Sequence, residues 1–145
     1  MTLKHAPVCA VAAALLWLAA CGSSPKQPPV PPDQRVKLLA IPDEYRGIKN
    51  PLPETPANLQ QGEKRYEEFC ALCHAPDGSG NTPLGHALYP RPRDLRSAEV
   101  QAQSDGELFW IVAQGIRYSG MPAGRYQHNE EQMWQLVLHL RALKK

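Results

Sequence analysis

The sequence predicts one small all-α domain in the carboxyl-terminal part of the chain, and three observations agree on it. Apolar residues recur at helical spacing in three segments of residues 56–145. No stretch alternates apolar and polar residues over the length of a strand, and helix-start patterns precede the periodic segments. The same region has few large apolar side chains, so the core is thin, and something other than protein is expected to fill its middle.

The chain of 145 residues opens with Lys4 and His5, followed by an alanine- and leucine-rich run over residues 6–20. This is the charged start and short apolar middle of a secretory leader, shorter than the about 20 residues of a spanning helix. The run closes on Leu18-Ala19-Ala20-Cys21-Gly22, which resembles the lipobox of bacterial lipoproteins. That resemblance implies a leader over residues 1–20 that carries Cys9 away, and a lipidated Cys21 as the mature first residue. Glycine rather than aspartate after Cys21 favours the outer over the inner membrane by the same resemblance. Eight of the 15 prolines fall within residues 22–55. Such a composition favours extended polyproline conformations, so residues 21–55 are expected to form a tether with a reach on the order of 100 Å.

The helical body is expected over residues 56–145. Thr55 before Pro56 suits a helix start, with threonine as cap and proline at the first helical position. Leu59, Gly62, Tyr66, Phe69 and Cys73 then follow every three or four residues along one face. Asp77-Gly78-Ser79-Gly80-Asn81 is a strong turn signal inside a loop expected over residues 75–96. Ser104 with Glu107 has capping-box spacing, and Leu108, Ile111 and Val112 continue that helix to Gly115. Asn129 with Gln132 opens the last helix, whose stripe is Met133, Leu136, Val137, Leu140 and Leu143. Arg141, Lys144 and Lys145 suit the negative end of its dipole.

Sixteen basic residues are interspersed with 14 acidic ones, which supports neither nucleic-acid binding nor a polybasic membrane surface. The chemistry is concentrated in Cys70-Ala71-Leu72-Cys73-His74, the Cys-x-x-Cys-His pattern read as c-type haem attachment. Residues three and four apart share a helix face, so two thiols and one imidazole can meet the same planar ligand. The thiols form thioethers with the porphyrin edge, and His74 turns a ring nitrogen to the iron. The other ring nitrogen needs a backbone carbonyl or carboxylate to fix its tautomer, and the carbonyl of Pro83 is the candidate. Structural zinc would need a second cysteine pair or well-spaced histidines. A thioredoxin-like pair would need βαβ surroundings, and a disulfide within one turn would restrain little.

With these residues in hand, the body resembles a class I cytochrome c from about Pro56 onward. In that family a glycine and an aromatic sit eight and four residues before the first haem cysteine, where the first and last helices cross; here these are Gly62 and Tyr66. His139 stands where a tyrosine is common. The resemblance implies a small fold of about three to five helices around one covalent haem c. It also implies a loop methionine as sixth ligand, and Met121 in Tyr118-Ser119-Gly120-Met121-Pro122 is the match. Among Arg91, Arg93 and Arg96, Arg93 is the first choice for the haem propionates.

Histidine and methionine on both axial positions leave no site for substrate, so the expectation is an electron carrier rather than an enzyme. It would sit in the bacterial envelope, lipid-anchored and facing the periplasm, and meet redox partner proteins transiently. The alternative is a cytochrome subunit of a larger membrane-associated oxidoreductase, such as alternative complex III or a dehydrogenase. Peroxidase or gas-binding chemistry is a third class and would need a vacant or labile distal position.

Overall fold

The structure is a computed structural model and describes residues 40–144 apart from residue 117. The expected leader, the expected lipidation site at Cys21 and the part of the expected tether up to residue 39 lie outside the described residues. Six helices follow in order: α1 Pro56–Phe69, α2 Ala71–His74, α3 Pro83–Ala87, α4 Ala98–Gln101, α5 Asp105–Gln114 and α6 Glu130–Ala142. Short 3-10 turns stand at Asp43–Tyr45 and Gly124–Tyr126. Among the described residues there is no strand, only one antiparallel bridge between Ile116 and Met121. The all-helical class is therefore as expected. The count exceeds the expected range because α2, α3 and α4 are single turns, each below the length at which periodicity is readable.

Local capping chemistry sets the boundaries. The Thr55 hydroxyl accepts from Asn58 N at 3.2 Å, with Pro56 at the first helical position. Both capping boxes are reciprocal: Ser104 with Glu107 opens α5, and Asn129 with Gln132 opens α6. Thr82 caps α3 by accepting from Gly85 N at 2.8 Å, a turn of helix inside the segment expected to be loop.

The long helices α1 and α6 cross at Gly62. A Cβ there would stand 2.1 Å from the Gln135 carbonyl oxygen, so the backbones touch where only hydrogen occupies the space. Tyr66, one turn on, is fully buried, and its ring lies 4.7 Å from that of His139. Two apolar clusters flank the crossing. Tyr66, Leu136 and Leu140 form one, with Cys70 and Ala71 packed against it. Val100, Leu108, Phe109, Ala113, Met133, Trp134 and Val137 form the other, with Phe109 stacked on Trp134 at 4.1 Å. Leu95 and Val112 pack against both. Each such side chain contributes about 1.5–3 kcal/mol by leaving water.

Part of the segment expected as tether lies against the helices. Residues 42–53 run as a strap across α5 and α6. Gly106 N donates to Ile48 O at 3.0 Å, and Asn50 N donates to Asp105 Oδ2 at 3.0 Å. Asn50 Nδ2 donates to Trp134 O at 2.9 Å, while Tyr45 and Leu52 pack on the larger cluster. Proline content argues for extension, but the strap opens with the 3-10 turn at Asp43–Tyr45 and bends again at Pro51 and Leu52; the backbone amide and side chain of Asn50 hold it against the domain.

Candidate cofactor site

The site is assembled on the turn after α1. Cys73 N and His74 N both donate to Cys70 O, at 3.1 and 2.9 Å, so Cys70, Cys73 and His74 share one helical turn. Both thiols are free of disulfide and half-buried. Burial, aided by the neighbouring Cys73, pushes the Cys70 thiol up to about 11. A thiol held protonated in this way is unlike the activated thiolate of a disulfide exchanger. Leu72, between the two cysteines, points outward and is 69% exposed.

The His74 side chain is half-buried, and its Nδ1 atom is shielded from solvent without a hydrogen-bond partner. Burial lowers its pKa, keeping the imidazole neutral as an iron ligand must be, while the backbone of Arg93 acts in the opposite sense. The Arg93 backbone is thus a further group near the ring, besides the Pro83 carbonyl expected from sequence. Pro83 opens α3 as its first residue, exposed to solvent. The Arg93 guanidinium pairs with Glu99 at 2.5 Å on the surface. Arg96 is the sequestered arginine of the loop, 16% exposed, with Nε and Nη2 on Asp94 at 2.8 Å each and Nη1 on Asp77 at 2.9 Å.

Met121 lies in a loop pinned at both of its backbone groups. Ile116 N donates to Met121 O at 3.1 Å, and Met121 N donates to Ser119 Oγ at 3.3 Å. The thioether side chain is half-buried. Competing ligands have other engagements. His86 Nε2 meets Asn81 Oδ1 at 2.8 Å on the surface, His128 packs edge-on against Phe69 at 4.7 Å, and Met133 belongs to the core.

These residues fit a porphyrin-borne iron better than a bare ion. Among the described residues, no group of three or more His, Cys, Asp and Glu side chains could hold a metal by itself. Two thiols and an imidazole on one turn, with a buried ring nitrogen awaiting a partner, suit a planar group attached covalently.

The profile of the family described as "Cytochrome C oxidase, cbb3-type, subunit III" matches residues 57–140. The chain belongs to this family of c-type cytochromes. Among solved structures, it is 30% identical to the KustC0563 c-type cytochrome, with a TM-score of 0.52, over 58% of this chain and 98% of that one. It also resembles a chain of the Kuenenia stuttgartiensis reducing HAO-like protein complex, at 22% identity and a TM-score of 0.61. That match covers 68% of this chain and 48% of the other, so this chain spans about half the length of that relative. No curated protein matches the chain. As a c-type cytochrome the chain carries covalent haem c and transfers electrons.

Reading from sequence missed the Arg93 backbone and the residue after the motif, Ala75. Ala75 has φ 65°, a left-handed conformation rare for a residue with a Cβ. No alanine announces such a conformation. The cis peptide at Tyr89-Pro90 lies in the same loop and has no sequence signal beyond the proline itself.

Proposed function

We propose that this cytochrome is a tethered, periplasm-facing electron carrier with one haem c held between His74 and Met121. The observation that carries the reading is the shared turn of Cys70, Cys73 and His74, with the His74 Nδ1 shielded from solvent and unpartnered. Bound haem supplies a one-electron couple whose potential is raised by thioether ligation. The chain's own residues do the rest. Cys70 and Cys73 would hold the porphyrin edge, and Cys70 and Ala71 are themselves fixed by packing against Tyr66, Leu136 and Leu140. The Arg93 backbone holds the His74 ring in one orientation. The Ile116 and Ser119 bonds present Met121 from a loop that Pro122 keeps extended. With both axial positions filled by side chains, no substrate reaches the iron, which makes the chain a carrier and not an enzyme.

Lipidation at Cys21, with outer-membrane sorting, would hold the domain near its partners, so that a small transient interface suffices. The described strap shortens the free tether to residues 22–41, about 60 Å when extended at about 3.1 Å per residue. The cytochrome could equally serve as a subunit of a membrane oxidoreductase complex.

An optical spectrum of the protein, exported from a host that matures cytochromes, tests the ligand set. The oxidised wild type should show the weak red band of methionine-to-iron charge transfer, and Met121→Ala should lose it and bind carbon monoxide when reduced. Persistence of the band in Met121→Ala would refute the ligand assignment. Gentle solubilisation separates the two roles: a stoichiometric complex favours the subunit reading, and a lone lipoprotein the carrier.

A further inference from the structure

The turn that follows His74 contains one hydrogen bond more than packing demands. Ala75 stands at φ 65° and ψ 155°, a region that glycine occupies freely and a Cβ-bearing residue holds only under constraint. Its own amide donates to Ala71 O at 2.9 Å, and its carbonyl accepts two bonds, from the Tyr66 hydroxyl at 2.7 Å and from Gly78 N at 3.1 Å. The His74 carbonyl, one residue back, accepts from Gly80 N at 2.7 Å. Tyr66 is fully buried in the α1–α6 crossing, against the His139 ring, so its hydroxyl reaches out from the most rigid part of the molecule. A phenylalanine would fill the crossing equally well. The hydroxyl is therefore free to serve the turn.

We propose that Tyr66 is a positioning residue for the axial histidine: its hydroxyl holds Ala75 in the left-handed conformation and so fixes the direction in which His74 leaves the helix. This rests on His74 being an iron ligand, as proposed above. The causal chain is short. Without the hydroxyl, the Ala75 carbonyl keeps only the 3.1 Å bond from Gly78 N and loses the shorter of its two bonds, and the Cβ favours relaxation to negative φ. That rotation would move the peptide that His74 shares with Ala75, and with it the backbone from which the imidazole projects.

The test compares the full chain, matured with haem, as wild type, Tyr66→Phe, Ala75→Gly and the double variant. Three readouts follow the turn and not mere packing: the spread of the haem methyl resonances in the oxidised protein, which reports the plane of the axial imidazole; the midpoint potential; and exchange of the Gly80 amide. In the Ala75 background, Tyr66→Phe should alter the methyl spread, shift the potential and speed Gly80 exchange by about tenfold. In the Ala75→Gly background the turn needs no clamp, so adding Tyr66→Phe should leave methyl spread and potential where Ala75→Gly alone puts them. Equal shifts in both backgrounds, which a packing role would give, or no shift in either, overturn the proposal. Should Tyr66→Phe alone fail to accumulate as holoprotein, recovery in the double variant supports the proposal and absence of recovery overturns it. A wild type without histidine ligation would remove the haem reading and this proposal together, and shows before any variant is made.

Discussion

Gly62→Ala tests the helix crossing by setting two effects of opposite sign against each other. On an isolated helix, alanine is favoured over glycine by about 1 kcal/mol. In the folded protein the new Cβ would lie 2.1 Å from Gln135 O, 2.8 Å from Gln135 C and 3.1 Å from His139 Cβ, where ordinary contacts begin at 3.4 Å. The nearest obstacles are backbone atoms of α6, so no side-chain rotation relieves them; α1 and α6 must part by about 1 Å. A gap of that size forfeits about a quarter to a half of the dispersion energy across an interface. Tyr66, Leu136 and Leu140 lie at that interface, and at about 2 kcal/mol each the loss is about 1.5–3 kcal/mol, with overpacking strain of about 1–3 kcal/mol added. The net expectation is destabilisation by about 1.5–5 kcal/mol after the propensity gain. Chemical denaturation of the holoprotein, followed by far-ultraviolet circular dichroism, measures it, with the exposed neighbour Glu63→Ala as a control expected within about 0.5 kcal/mol of wild type. A Gly62→Ala protein as stable as wild type would refute the close crossing.

Further outcomes follow from particular contacts. Arg141, 27% exposed, donates to Asp105 at 2.7 Å and to the carbonyls of Gln101 and Gln103, so Arg141→Met should cost about 2–3 kcal/mol in the same denaturation assay. Asn50→Ala removes the side-chain bonds to Trp134 O and from Leu52 N and keeps the backbone bond to Asp105; it should cost about 1–2 kcal/mol and make the strap the first site cut by protease, whereas an unchanged cleavage pattern would contradict the docking. Burial lowers the pKa of His128 and His139 in the fold below the ordinary 6.5, so the unfolded chain binds more protons in that window. Stability is therefore full above about pH 6.5 and falls as the pH drops through the folded values; His128→Phe should flatten part of that acid slope, and an unchanged slope would count against its burial.

Much of this molecule is legible in its residues, for reasons that are local. Ser104 with Glu107 and Asn129 with Gln132 satisfy orphan amides within a single turn, so spacing alone reveals them. Cys70, Cys73 and His74 are likewise a one-turn constellation, and Gly62 with Tyr66 lies on the same helix. What escaped reading depends on chain segments meeting from afar. The Arg93 backbone comes to His74 across 19 positions, and any residue type has a carbonyl to offer. The strap is a set of bonds from Asn50 to partners 55 and 84 residues away, inside a stretch whose prolines advertise only extension. Arg93 and Arg96 share a loop and a charge. Which of them turns inward is decided by Asp77, Asp94 and Glu99, not by their own identity.

The most direct measurement is the intact mass of the protein exported from a host with cytochrome maturation, taken for the wild type and for Cys70→Ser/Cys73→Ser. The wild type should carry the added mass of one haem and turn red on reduction, and the paired variant should lose both. A wild-type mass equal to the bare chain with its lipid, or a variant that keeps its colour, would contradict covalent haem at this turn.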